Sequence, residues 1–292
     1  QVTLMQRRTF VALLPLLGIT SSRFGMAHAP ATGATSASRS AISSDGTRIA
    51  YGVTGAGPEL VLLHGLMGNR QSWHTSGYVD ALANNYRLIL IDMRGHGESQ
   101  GPTDPEAYDY ASLAADIAAV VEQECESPPV LWGYSAGGGL TMACAALYPD
   151  LYRKVIVGGS FRAAVGFPDG ATAGMVANAR RIAAMASLPA AEVPANMLGQ
   201  NIAAVAAFLE KGSYFDPHVQ TLLKQYPGQV LLYLGAEDAT QMHAQEKTIN
   251  GSIADFFADL EYVELPGKLS HGEAFEHAEI VLRYTLPFLA QD

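Results

Sequence analysis

Apolar residues along the chain follow two rhythms. Some cluster in short β-branched and leucine-rich runs; others recur every three or four positions over longer stretches. The short runs predict β-strands over residues 48–54, after the Asp45-Gly46 turn, then 59–63, 86–91, a run from Val130, 155–157, 230–234 and 262–265. Helical spacing falls between them, at about 71–84, 110–124, 137–147, 243–257 and 272–289, with Leu113, Ile117, Val120 and Val121 on one side of the second. Strands alternating with helices predict an α/β fold: a mostly parallel, doubly wound sheet with helices on both faces. The alternation stops between residues 161 and 227. There 175–185, 202–211 and 217–225 read as helices separated by Pro189, Pro194 and Gly212. The expected organisation is a core in two parts, 41–160 and 228–292, with a small helical lid, 161–227, inserted between them.

One strand runs straight into chemistry. Val130-Leu131-Trp132-Gly133-Tyr134-Ser135-Ala136-Gly137 reads as strand, sharp turn and helix start around a G-x-S-x-G motif. Glycines on either side let strand and helix approach closely and hold Ser135 in a tight, strained turn. A serine hydroxyl is a weak nucleophile until a base takes its proton, and the base needs an acid to orient it. Two later strands end in suitable groups. The run 230–234 leads into Gly235-Ala236-Glu237-Asp238, and 262–265 leads into Pro266-Gly267-Lys268-Leu269-Ser270-His271. Each is expected in a loop at the carboxyl edge of the sheet, where open parallel sheets build their sites.

These residues, with His64-Gly65 after the second strand and the loop Asp92-Met93-Arg94-Gly95-His96-Gly97-Glu98-Ser99 after the third run, resemble the α/β-hydrolase fold over about residues 41–289. The resemblance is to the broad group of esterases, carbon–carbon bond hydrolases and cofactor-free haloperoxidases. It implies Ser135 as nucleophile, Asp238 as acid and His271 as base, with Glu237 solvated and His277 on the surface of the last helix. It implies an oxyanion hole from the backbone N–H groups of Leu66 and Ala136, no organic cofactor and no metal. Haloalkane dehalogenases and epoxide hydrolases of this fold carry aspartate at the elbow, so Ser135 argues against both. His64 and His96 are implied to pack loops, and Asp92 and Arg94 to brace the sheet edge. Met67 and Tyr134 are expected to line the substrate site. Arg162, Arg180 and Arg181 in the lid either meet an anionic substrate or are solvated helix charges. Lid alanines with Met175, Met185, Met197 and Phe208 suggest a mostly apolar cover and a partly apolar small-molecule substrate. The expected activity is hydrolysis of a small or medium carboxylic ester. Carbon–carbon hydrolysis or perhydrolysis by the same triad is the alternative, and a non-catalytic binding member of the fold a third.

Composition narrows the partners. The 292 residues are 49% hydrophobic and 16% charged, which suits a sizeable core, and a net charge of −10 argues against nucleic acid. The start of the chain carries Arg7-Arg8 with Phe10, an apolar run from Ala12 to Ile19 and Ala27-His28-Ala29. This reads as an export signal over 1–29, of twin-arginine type, and a linker over 30–40. Cleavage after Ala29 or Ala31 would leave no stable membrane span and place the protein in the periplasm or outside the cell; the alternatives are an uncleaved anchor or a general secretory signal. Cys125 and Cys144 could pair in an exported chain, but Cys144 sits in an apolar helix and reads as a small buried hydrophobe.

Overall fold

A computed structural model describes residues 38–166, 171–189, 192, 199–211 and 216–291. The expected export signal, most of the linker, and Met197 and Pro194 of the lid lie outside the described residues. In chain order the elements are β1 (Arg39–Ile42), β2 (Arg48–Thr54), β3 (Glu59–Leu63), α1 (Gln71–Thr75), α2 (Tyr78–Leu82), β4 (Arg87–Ile91), α3 (Tyr110–Glu124), β5 (Val130–Tyr134) and α4 (Ala136–Leu147). They continue with β6 (Lys154–Gly158), α5 (Arg162–Val165), α6 (Ala171–Met185), α7 (Ile202–Lys211), α8 (Pro217–Leu223), β7 (Gln229–Leu234), α9 (Ala236–Ile249), β8 (Leu260–Glu264), α10 (His271–Glu276) and α11 (Ala278–Leu289).

The eight strands form one sheet in the order β1-β2-β4-β3-β5-β6-β7-β8. β2 runs antiparallel to both its neighbours, and every other pairing is parallel. Alternate residues of each strand enter opposite faces, as the two-residue period requires. Val61, Leu63, Ile89, Leu131 and Val155 pack with Leu113, Ile117, Val120 and Val121 of α3 and with α4. Leu60, Leu62, Leu88, Trp132 and Ile156 pack on the other face with α2 and α11. β3 lies between β4 and β5, with β4 on one side and β5 on the other. The strand order therefore reverses between β3 and β5, and a crevice opens beyond their carboxyl ends.

Several expectations shift in detail. The helix expected over 71–84 is two short helices, because Gly77 takes a left-handed backbone (φ 82°) between them. The expected 243–257 helix starts earlier, at Ala236, and ends at Asn250 in a left-handed cap (φ 49°), before a separate turn of 3-10 helix at Ile253–Phe256. The last helix is two, divided at His277. β1, unforeseen in the sequence, takes the last two residues of the expected linker. Within 161–227, α8 is not part of a cover: Val219 and Leu223 are fully buried in the core cluster that contains Leu140 and Ala143 of α4. The cover is α6 with α7. Ala179, Ile182, Val205 and Leu209 bury one another over Leu66 and Met67, while Phe208 on another side of α7 packs edge-on against Tyr108 and His96. Cys125 and Cys144 are separate free thiols, Cys144 buried, and burial pushes the Cys125 thiol up to about 12. Among the described residues no helix is long and apolar enough to cross a membrane.

The loop after β4 is held by charge. Arg94 has a fully buried side chain that grips Asp116 through two bonds, Nε to Oδ2 at 2.8 Å and Nη2 to Oδ1 at 2.6 Å. Its Nη1 reaches Asp45 Oδ2 at 2.7 Å and the Ala107 carbonyl at 2.9 Å. Burial works against the Asp45 carboxylate, yet the hydrogen bond from Arg94 and those from Thr47 bring its pKa down to about 2. Arg94 thus joins the β1–β2 turn, the β4 loop and α3, rather than entering the site. Replacing Arg94 with alanine strands Asp116 in the core and is expected to cost about 3–5 kcal/mol. Urea unfolding at neutral pH measures this, and a loss below about 1 kcal/mol would contradict it.

Candidate active site

Ser135 stands between β5 and α4 with φ 55° and ψ −116°, a backbone that a residue with a Cβ adopts only under constraint. Two glycines create the constraint. A Cβ on Gly133 would lie 2.1 Å from the Gly137 carbonyl oxygen, and one on Gly137 would lie 2.5 Å from the carbonyl oxygens of Leu63 and His64. β3, β5 and α4 therefore meet backbone to backbone. The Ser135 N–H donates to the Gly158 carbonyl at 2.8 Å, which ties the turn to the end of β6.

The other two expected residues arrive from helix starts rather than loops. Asp238 is in the first turn of α9, and His271 is the first residue of α10. Ser270 caps α10 in a capping box with Glu273, which fixes where His271 begins. The His271 N–H donates to Glu237 Oε2 at 3.3 Å, and Tyr134 Oη donates to the His271 carbonyl at 2.5 Å. So held, the ring accepts from Ser135 Oγ at Nε2 (2.9 Å) and donates from Nδ1 to Asp238 Oδ2 (2.8 Å). The Asp238 side chain is 8% exposed. Its hydrogen bond raises the pKa of His271 above the ordinary histidine value, against a lowering by burial. Glu237 is exposed, as expected, and contributes its carboxylate to the His271 backbone. His277 lies at the junction of α10 and α11 and donates to Glu279 Oε1 at 3.0 Å, apart from the site.

Leu66 and Ala136 both border the same cavity as Ser135. Ala136 opens α4, so its N–H is among the amides that a helix start leaves without an intrahelical acceptor. The Leu66 loop passes close by, with a Cβ on Gly65 placed 3.3 Å from Ser135 Cβ. His64 pins this loop from below. It is fully buried, donates from Nδ1 to the Gly65 carbonyl at 2.7 Å and accepts the Met93 N–H at Nε2 at 3.1 Å. The ring is therefore neutral, and burial drops its pKa to about 4. Its neighbour His96 is held at about 3 by burial and by His64. Asp92 holds the adjoining turn by accepting from the Arg70 and Glu98 N–H groups, at 2.7 and 3.0 Å, and by pairing with the Arg70 guanidinium.

The cavity has a volume of about 400 Å³. Two residues expected to line it do not. Met67 has a left-handed backbone (φ 61°), packs into the lid cluster, and has its carbonyl taken by Gln200 Nε2 at 2.8 Å. Tyr134 is buried beneath His271, its ring 4.8 Å from that of Phe275, and positions the histidine from behind. The walls instead include Tyr110, Ser160, Phe161, Arg162, Leu209 and Gln241. Of the three lid arginines, Arg162 lines the cavity, whereas Arg180 and Arg181 are exposed on α6. Arg162 was among the residues the sequence offered, and Phe161 beside it was findable in principle, since both follow the carboxyl end of β6.

Residues 58–185 match the family described as alpha/beta hydrolase fold, and the eight-stranded, mostly parallel sheet with its helices has that fold. The pimeloyl-[acyl-carrier protein] methyl ester esterase of Aeromonas hydrophila is 38% identical over 102 residues, covering 35% of this chain and 37% of that protein. Mouse epoxide hydrolase 4 is 33% identical over 118 residues, covering 40% of this chain and 32% of its own. The chain thus spans well under half the length of these relatives. An esterase structure from Exiguobacterium antarcticum superposes with a TM-score of 0.68 at 20% identity, over 86% of this chain and 99% of that one, a likeness of fold.

The buried histidines under the Leu66 loop give the protein a signature in acid. Below the ordinary histidine pKa of about 6.5 the unfolded chain takes up protons that folded His64 and His96 refuse, so stability falls as pH falls towards 4. Replacing His96 with phenylalanine should flatten this slope by at most about 1.4 kcal/mol per pH unit. Denaturant unfolding between pH 7 and 4.5 measures it, and parallel slopes for the two proteins would show that His96 is not held neutral.

Proposed function

We propose that the protein is a serine hydrolase that cleaves a small to medium, partly apolar carboxylic ester through an acyl-enzyme. The observation that carries this reading is the unbroken hydrogen-bonded line from Ser135 Oγ to His271 Nε2 at 2.9 Å and from His271 Nδ1 to Asp238 Oδ2 at 2.8 Å, opening into a cavity. His271 takes the Ser135 proton as the oxygen attacks the ester carbonyl. Asp238 holds the tautomer that leaves Nε2 free to accept, and stabilises the imidazolium that results. The N–H groups of Leu66 and Ala136, at the crevice and at the start of α4, receive the developing oxyanion. His271 then returns its proton to the leaving alcohol. Water, deprotonated by the same ring, releases the acid. Serine at the elbow supports an acyl-enzyme, and the methyl ester named for one relative is compatible with it.

Replacing Ser135 with alanine should lower kcat on p-nitrophenyl esters by on the order of 10⁶-fold, to what binding and the oxyanion site leave. A fluorophosphonate probe should label wild type at Ser135 and not the variant. Unimpaired turnover by folded Ser135→Ala would end this reading. The base works only when neutral, and the Asp238 bond raises its pKa. The acid limb of kcat/KM should therefore fall away at a midpoint above about 6.5, with activity gained as pH rises through it. In Asp238→Asn the residual activity should titrate at a lower pH. A pH–rate series on both proteins checks the order of the two midpoints.

A further inference from the structure

The first turn of α4 carries three consecutive glycines, Gly137, Gly138 and Gly139, although glycine is the poorest helix former after proline. The fold requires two of them. A Cβ on Gly137 would strike the carbonyls of Leu63 and His64, and one on Gly138 would lie 2.9 Å from both the Gly158 carbonyl oxygen and Ser160 Cβ. Gly139 differs. A Cβ there would meet no backbone atom of another element within 4 Å; its neighbours are Tyr110 Oη at 3.1 Å and Ser160 Oγ at 3.5 Å, the ends of two side chains. Packing of α4 on the sheet therefore does not demand glycine at this position.

Gly139, Tyr110 and Ser160 all line the cavity with Ser135. The Gly139 N–H donates to the Ser135 carbonyl at 3.0 Å, so Gly139 stands one turn along α4 from the nucleophile, on the same side of the helix. Strand order decides which half of a substrate passes it. Ser135 leaves β5 in the middle of the sheet. Asp238 and His271 arrive beyond β7 and β8, to one side of it; Leu66 follows β3, and Tyr110 begins α3 after β4, on the other side. The leaving alcohol must lie against His271 Nε2, which protonates it, and the oxyanion against the N–H groups of Leu66 and Ala136. The acyl chain takes the direction left to it, away from His271, where Gly139 and Tyr110 face the cavity under Leu209 of the cover.

We infer that Gly139 is a specificity residue of the site: the space its missing side chain leaves beside Tyr110 admits the acyl chain, and the preferred substrates are esters of medium-chain acids rather than acetates. This rests on the serine-hydrolase reading above. A side chain at 139 would occupy space that the outer carbons of the chain need, whereas an acetyl group ends one carbon past the carbonyl and stays short of it. The bonds made and broken are those of ordinary ester hydrolysis.

The test measures kcat/KM on p-nitrophenyl acetate, butyrate, hexanoate and octanoate. Wild type should favour hexanoate over acetate. The hexanoate-to-acetate ratio should fall about 10-fold or more in Gly139→Val and about 3-fold or more in Gly139→Ala. Methyl and hexyl acetate, followed by pH-stat, vary the alcohol instead, and their ratio should stay at the wild-type value in both variants. A general distortion of the turn at Ser135 would lower all these esters together. Thermal melting establishes that the variants are folded, and if Gly139→Val is not, Gly139→Ala decides. An unchanged hexanoate-to-acetate ratio in the folded variants, a wild type that prefers acetate, or a methyl-to-hexyl acetate ratio that shifts as far as the acyl ratio overturns the inference while leaving ester hydrolysis through Ser135 intact. If wild type cleaves no ester, or Ser135→Ala cleaves them as wild type does, the serine-hydrolase reading falls and this one with it.

Discussion

The positive φ of Ser135 survives because no atom larger than hydrogen projects from Gly133 or Gly137. Such a backbone costs on the order of 1–3 kcal/mol and persists only when its surroundings over-determine it. Here the surroundings are the buried carboxyl ends of strands β3, β5 and β6, whose carbonyls lie against the turn or accept from it. The strain is what lifts the hydroxyl off the sheet edge and sets it at the start of α4, where the helix dipole favours developing negative charge. A hydroxyl placed this way needs only a ring brought to one side. The helix starts of α9 and α10 bring it, with Asp238 behind.

The segment inserted after β6 serves two ends. α5 and α8 complete the core against α4, so they are scaffold. α6 and α7 close over Leu66 and Met67, and Gln200 just before α7 holds the Met67 carbonyl. The cover is thereby tied to the loop that offers the proposed oxyanion donor at Leu66. Below that loop two neutral histidines and the Asp92–Arg70 pair fix it to the end of β4. The loop is clamped from both sides by groups that never need to touch substrate.

Much of this was legible in the residues. The strand runs are read from short-range periodicity, and strands 48–54 and 59–63 begin and end where the pattern says. Ser135, Asp238 and His271 were legible for a related reason: each follows within a few residues of a strand's carboxyl end, so the parallel sheet delivers all three to one edge. Element limits were harder wherever a single residue turns the chain. Gly77 and Asn250 end helices by adopting left-handed backbone, and neither interrupts the apolar spacing around it. Asp238 and His271 look like loop residues by position, yet both begin helices, because Gly235 and the Ser270–Glu273 box start them earlier than the apolar pattern does.

The walls of the cavity are another matter. Tyr134 adjoins Ser135 in sequence, but the strand alternation turns it to the opposite face of the sheet, where it supports His271 instead. Arg162, Leu209 and Gln241 come from three elements separated by long stretches of chain, and nothing in the spacing of any one of them distinguishes it from a solvated or core residue. Arg162 and Arg180 are equivalent as letters in a helical segment; packing of α5 against the sheet edge is what sends the first to the cavity, while α6 leaves the second in solvent. Local pattern and backbone geometry therefore suffice for the sheet, the elbow and the Ser135–His271–Asp238 line, since these depend on strand order and on turns a few residues long. The shape and charge of the space above Ser135 depend on how distant helices settle on one another, and that is set by side-chain packing across the whole fold.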